Sequence, residues 1–187
     1  MPRFAAPRPS ATRPRTQQED HRRVDANSWF PTAALRQTGG MESWRDSASQ
    51  EAQDDFDELL NTVLPFAVET LGRHGEMYPF GATVGKAGHT ALTAGEPGVG
   101  KRPKSNDVLA LLRDGVAADK DALRAAAFVA DVRMERSDAI RVELEHSEGS
   151  AIVVLVPYTR KRLRRALELA DMRVQWGELG IWGGQPK

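Results

Sequence analysis

Residues 125 to 158 constrain the fold more than any other stretch, because three β-strands of different burial follow one another there. Phe128, Ala130, Val132 and Met134 alternate with Val129, Asp131, Arg133 and Glu135; Ile140, Val142 and Leu144 alternate with Arg141, Glu143 and Glu145. The third run, Ala151 through Val156, is apolar at every position. Alternation with period two marks a half-buried strand, whereas an unbroken apolar run bounded by turns marks one covered on both faces. The third run is therefore expected inside a sheet, with Ile152, Val154 and Tyr158 against one helical layer and Val153 and Leu155 against another. The first two runs are expected nearer an edge.

Upstream, Phe56, Leu59, Leu60, Val63, Leu64, Ala67 and Leu71 recur at spacings of three and four, which predicts one amphipathic helix beginning near Asp54. Asp54, Asp55, Asp57 and Glu58 suit its positive end, Pro65 should kink it, and Gly72 and Gly75 supply stop signals. Two short strands, Met77 to Val84 and His89 to Ala94, flank a hairpin turn at Gly85-Lys86-Ala87-Gly88, with the first strand starting only after Pro79. A second helix is predicted from Ser105 as N-cap to Leu123, with Val108, Leu111, Leu112, Val116 and Leu123 inward. A last helix is predicted over Lys161 to Arg173, with Leu163, Leu167 and Ala170 inward.

Composition sets the outer limits. The 187 residues allow one ordinary domain plus tails, and 40% apolar with 28% charged residues supports one core. A formal net charge of zero points to no particular partner, and the absence of cysteine excludes disulfides, thiol catalysis and cysteine-ligated metal while fitting a reducing, cytoplasmic setting. No window approaches the roughly 18 apolar residues of a membrane helix. Residues 1 to 40 carry seven Arg against three acids, with repeated Pro, and cannot bury enough surface to offset ordering entropy. Residues 1–53 thus read as a disordered or poorly ordered Arg/Pro-rich leader, 54–175 as a single α+β domain, and 176–187 as a Gly-rich tail. Whether 1–40 belong to the working protein stays open between a transit segment and translation from Met41.

The expected order of helix, two strands, helix, three strands, helix resembles the profilin-like folds, including the roadblock type. That resemblance implies a five-stranded antiparallel sheet with helices on both faces and a central last strand. More locally, Gly75-Glu76-Met77-Tyr78-Pro79-Phe80-Gly81-Ala82, the run Asp138 through His146, and Val156-Pro157-Tyr158 resemble a family of small uncharacterised bacterial proteins. It implies a real domain and no site residues.

Gly95-Glu96-Pro97-Gly98-Val99-Gly100-Lys101 matches the first seven positions of a Walker A loop. That chemistry needs glycines whose N–H groups wrap phosphate, a Lys for the terminal phosphates, and a Ser or Thr on Mg²⁺. Here Arg102 occupies the eighth position and Pro103 delays the helix, so a Gly- and Pro-rich connector is the plainer reading. The strand Ala127 to Asp131 imitates a Walker B only as any strand ending in Asp would. Weak anion binding through Gly95, Gly98, Gly100 and Lys101 stays as an alternative.

Glu143, Glu145 and His146 invite acid–base chemistry, but His146 falls on the face of Ile140, Val142 and Leu144, opposite the glutamates. Solvated charges, with Arg133 pairing Glu143 across strands, account for them better. His21, His74, His89 and His146 lack metal-ligand spacing, and no nucleophile motif is present. Arg160, Lys161, Arg162, Arg164 and Arg165 place five charges at a predicted helix start against its dipole. Such a cluster suits an anionic partner or the protein's own acidic first helix; without interleaved aromatics, nucleic acid is disfavoured.

No catalytic residue, metal or cofactor is assigned. The expected function is a non-enzymatic protein-interaction or regulatory module, a homodimer being one form, with Asp131 and Arg133 guarding an edge strand over Phe128 to Glu135. The alternatives are phosphate binding at 95–101 and an anionic, nucleic-acid partner at 160–165.

Overall fold

The structure, a computed structural model, describes residues 43–95, 104–135, 137–160 and 167–183. A short helix α1 (Trp44–Ser47) leads into the long helix α2 (Gln50–His74). Ser49 caps α2 by accepting the Ala52 N–H at 3.1 Å. The helix runs on through Pro65 and ends at Gly75, whose φ of 80° needs a residue without Cβ strain. Its periodic residues Phe56, Leu59, Val63, Ala67 and Leu71 are all fully buried.

Strands β1 (Phe80–Gly85) and β2 (Thr90–Ala94) form the expected hairpin, and β1 begins directly after Pro79. The Gly88 N–H donates to the Gly85 carbonyl and the Gly85 N–H to the His89 carbonyl, with Gly88 at φ 81°. This is the three-residue loop with a left-handed glycine. Helix α3 (Ser105–Ala118) and a single 3₁₀ turn (Lys120–Ala122) then lead to β3 (Leu123–Arg133), β4 (Asp138–His146) and β5 (Ala151–Arg160). Two further strands follow, β6 (Leu167–Leu169) and β7 (Arg173–Trp176). The molecule is α+β, with an open antiparallel sheet in the order β2-β1-β3-β4-β5-β6, and β7 also pairing β5.

Alternate residues of β3 separate two hydrophobic clusters. Ala125, Ala127 and Val129 join the large cluster beneath α2, while Ala126 and Phe128 join a smaller one beneath α3. Helices therefore lie on opposite faces of the sheet. The α2 face is closed further by Trp44, whose ring sits 5.6 Å from that of Phe56. The α3 face is covered over β1 and β3, and residues 177 to 183 cross its far end to bring Ile181 against Val108 and Leu112.

Several expectations are corrected. Among the described residues the sheet has seven strands rather than five. Strand β3, expected at an edge, lies between β1 and β4; its run from Ala125 to Ala130 is apolar on both faces, so the two-sided burial signature was present there too. The last helix is absent from the described part of 161–173. Residues 161–166 lie outside it, and 167–169 and 173–176 are strands, which satisfy the backbone groups on the outer side of β5. Lys104 rather than Ser105 is the N-cap of α3. Arg133 pairs with Asp138 at 2.8 Å, not with Glu143, because Glu143 stands opposite Phe128. Among the described residues no second helical layer meets Val153 and Leu155; Val153 lines an open groove.

Candidate functional site

Two polar clusters lie on opposite faces of the sheet. On the α2 face, Asp55 and His146 are 3% and 1% exposed. A carboxylate so far from water costs several kcal/mol unless its oxygens are fully occupied. Arg124 occupies them, donating from Nε and Nη2 to the two Asp55 oxygens at 2.7 Å each and from Nη1 to Glu51 at 2.8 Å. The hydrogen bond to Asp55, ahead of the attraction of both acids, pushes the Arg124 guanidinium above its ordinary range. His146 completes the cluster. Its Nδ1 accepts the Glu148 N–H at 3.2 Å, so the proton sits on Nε2, which faces Asp55 Oδ2 at 3.3 Å. The ring also stands edge-on to Phe56 at 6.1 Å. Both ring nitrogens are thus engaged internally, and the cluster ties α2 to β3 and β4.

On the α3 face no helix among the described residues lies above strands β4, β5 and β7, and a groove of about 560 Å³ opens there. Its floor is Glu143 and Val153; Arg113 of α3 forms one wall, Gln175 the other, and residues 177 to 180 close one end, while Trp176, paired with Ile152, carries its side chain on the α2 face. Glu143 is gripped by Arg113 and reached by Arg141 at 3.2 Å. Arg113 is held in place by stacking on Phe128, 5.1 Å from the ring centroid. At the closed end Glu145 is 3% exposed, and its Oε2 accepts the backbone N–H groups of Gly180 and Ile181 at 2.9 and 2.8 Å. A charge-assisted pair of this kind holds the chain end down across the sheet. Glu145, expected to be solvated, is therefore buried and structural.

The other sequence-derived candidates scatter. Asp131 is half-buried and accepts the Tyr158 hydroxyl at 2.8 Å. Burial raises the Asp131 carboxyl above its usual range, against the opposing effect of that hydrogen bond. Burial, then the same bond, drives the Tyr158 phenol far above its usual value. Arg133 is exposed beside Asp138. Arg160 donates to the Gly75 carbonyl at 2.6 Å, a cation at the negative end of α2. Lys161, Arg162, Arg164 and Arg165 lie outside the described residues, as do Gly98, Gly100 and Lys101. Gly95 is described, and lies close above Val108 and Leu112 of α3.

Sequence reasoning missed the Arg113–Glu143–Arg141 grouping. Arg141 and Glu143 share a strand face by simple parity, but Arg113 arrives from a helix 30 residues away in sequence. Among the described residues no three His, Asp or Glu side chains gather as a metal site, and no helix is long and apolar enough to cross a membrane. Compared with protein-family models, curated proteins and solved structures, the chain matches none.

Proposed function

We propose that the protein is a non-enzymatic interaction module whose α3-face groove receives an extended segment of a partner protein. The observation that carries this reading is the stretch of β4 and β5 left uncovered among the described residues, walled by Arg113 and Gln175. Arginine is enriched where proteins meet, because its guanidinium presents a broad, planar contact surface with several donors. The groove is preorganised: Glu143 pins both arginines before any partner arrives, so little side-chain entropy remains to be lost on binding. Its mixed charge suits a polar peptide chain rather than a polyanion. His146, Glu143 and Glu145, whose sequence pattern invites acid–base chemistry, each hold structure together.

Selection of peptides from a random display library against the full-length protein tests the proposal. Selected peptides should shift the amide resonances of Arg113, Arg141, Val153 and Gln175, and Arg141→Glu should weaken them at least about tenfold. Peptides that shift other regions, or that bind Arg141→Glu unchanged, contradict it.

A further inference from the structure

The outer side of β2 offers a different surface. In the hairpin the Gly85–His89 pair exchanges a hydrogen bond, so the ladder alternates from there. Thr83 with Ala91 and Gly81 with Thr93 bond inward, while Thr90, Leu92 and Ala94, opposite Val84, Ala82 and Phe80, point their N–H and C=O groups away from β1. The pattern is consistent on the far side of β1, where the Lys86 N–H reaches the Ala122 carbonyl beside β3. Among the described residues β1 is the only strand paired with β2.

Natural sheet edges are shielded by charge, proline, bulges or brevity. Thr90-Ala91-Leu92-Thr93-Ala94 carries neither charge nor proline. Its central Leu92 is 49% exposed, and on the same sheet face Phe66 is 43% exposed while stacking on Phe80 at 4.8 Å. The opposite edge is built otherwise: β5 is covered by two short strands, β6 with Glu168 and β7 with Arg173.

We infer that β2 pairs with β2 of a second copy of this chain, antiparallel, about a two-fold axis at Leu92. The register is self-complementary. Leu92 faces Leu92 and Thr90 faces Ala94 of the other copy, and all three pairs are of the hydrogen-bonded type, giving about six bonds across the axis. The outward groups fall at 90, 92 and 94, symmetric about a residue that itself points outward. A strand bearing Lys or Glu at these positions would meet its own like charge across such an axis; this one presents two apolar side chains and a threonine. Leu92 and its counterpart become a cross-strand pair on the α2 face, flanked by Phe66 of each copy. The β2 surface lies at the far edge of the sheet from the groove, so either reading survives failure of the other.

A contact of one short strand and two side chains is small, so the dimer should dominate near about 1 mM protein and be dissociated near 1 µM. Sedimentation equilibrium of the full chain measures this. Leu92→Lys places two ammonium groups on the axis and should lower the association constant at least about tenfold while circular dichroism stays unchanged. The register has its own readout, since the chain holds no native cysteine. Oxidised Leu92→Cys should form a crosslinked dimer at least about tenfold faster than Ala91→Cys, whose counterpart is offset along the strand. A monomer at all concentrations, a dimer indifferent to Leu92→Lys, or faster crosslinking at position 91 would each overturn the inference.

Discussion

The two faces of the sheet are made from the same strands and are finished differently. Beneath α2, Ile140, Val142, Ile152 and Val154 meet a 25-residue helix and vanish from solvent. One residue along, Arg141, Glu143 and Val153 meet a groove. The contrast shows how a single sheet divides labour: one face carries the larger hydrophobic cluster, and the other carries charge in an ordered arrangement beside a smaller one. Polar residues appear on both faces, but to different ends. Asp55, Arg124 and His146 are sealed in and satisfied, while Arg113, Arg141 and Glu143 are partly open to water.

The largest expected effect comes from unsealing the closed face. Asp55→Ala leaves Arg124 and His146 facing a void, and loss of one partner of a buried pair costs about 3–5 kcal/mol. Urea unfolding should show it as a lower midpoint with unchanged slope; a loss under about 1 kcal/mol would mean that water already reaches the cluster. Next, paired deletions compare the faces directly. Leu59→Ala under α2 should cost toward the upper end of the 2–5 kcal/mol range for buried leucine, and Leu112→Ala of α3 toward the lower end, since its half-covered surroundings can relax. Equal losses would erase the distinction. Glu145→Ala releases the Gly180 and Ile181 N–H groups and should cost about 1.5–3 kcal/mol, with Ile181 becoming accessible to proteases. Wild-type protease resistance in that variant would show that apolar packing alone holds the segment.

The smallest effect concerns pH. The folded state holds the Asp131 carboxyl above its unfolded value, so the native chain binds that proton more readily. The stability this group contributes is present below the unfolded carboxylate range and is lost as pH rises through the folded value. Asp131→Asn should therefore gain stability relative to wild type as pH is raised from about 3 to 7. The opposite slope would show that the Tyr158 hydrogen bond outweighs burial.

The sequence made much of the fold legible where one signal dominated. The α2 periodicity, the Gly85–Gly88 turn and the apolar β5 run each obey a single period, and the turn and β5 stand where expected, while α2 begins at Gln50, ahead of the expected start near Asp54. It misled where two signals overlapped. In β3, Asp131 and Arg133 drew attention to alternation, although Ala125 to Ala130 carries the mark of a strand covered on both sides. After β5, Leu167 and Ala170 keep helical spacing, but the open backbone edge of β5 recruits that stretch as strand instead. The buried cluster was out of reach for another reason. Asp55 looked like one of several acids at a helix start, and only the packing of α2 on β3 brings it to Arg124, 69 residues away. The groove was half legible, its Arg141 and Glu143 following from strand parity and its Arg113 wall from nothing local.

Neighbouring positions on β5 test the two-faced sheet most directly. With no cysteine elsewhere, Val154→Cys and Leu155→Cys can be labelled in separate proteins with a maleimide reagent under native conditions. Leu155→Cys, on the groove side and half-exposed, should react at least about a hundredfold faster than Val154→Cys, which lies sealed beneath α2. Equal rates at the two positions, or faster labelling at 154, would contradict the account.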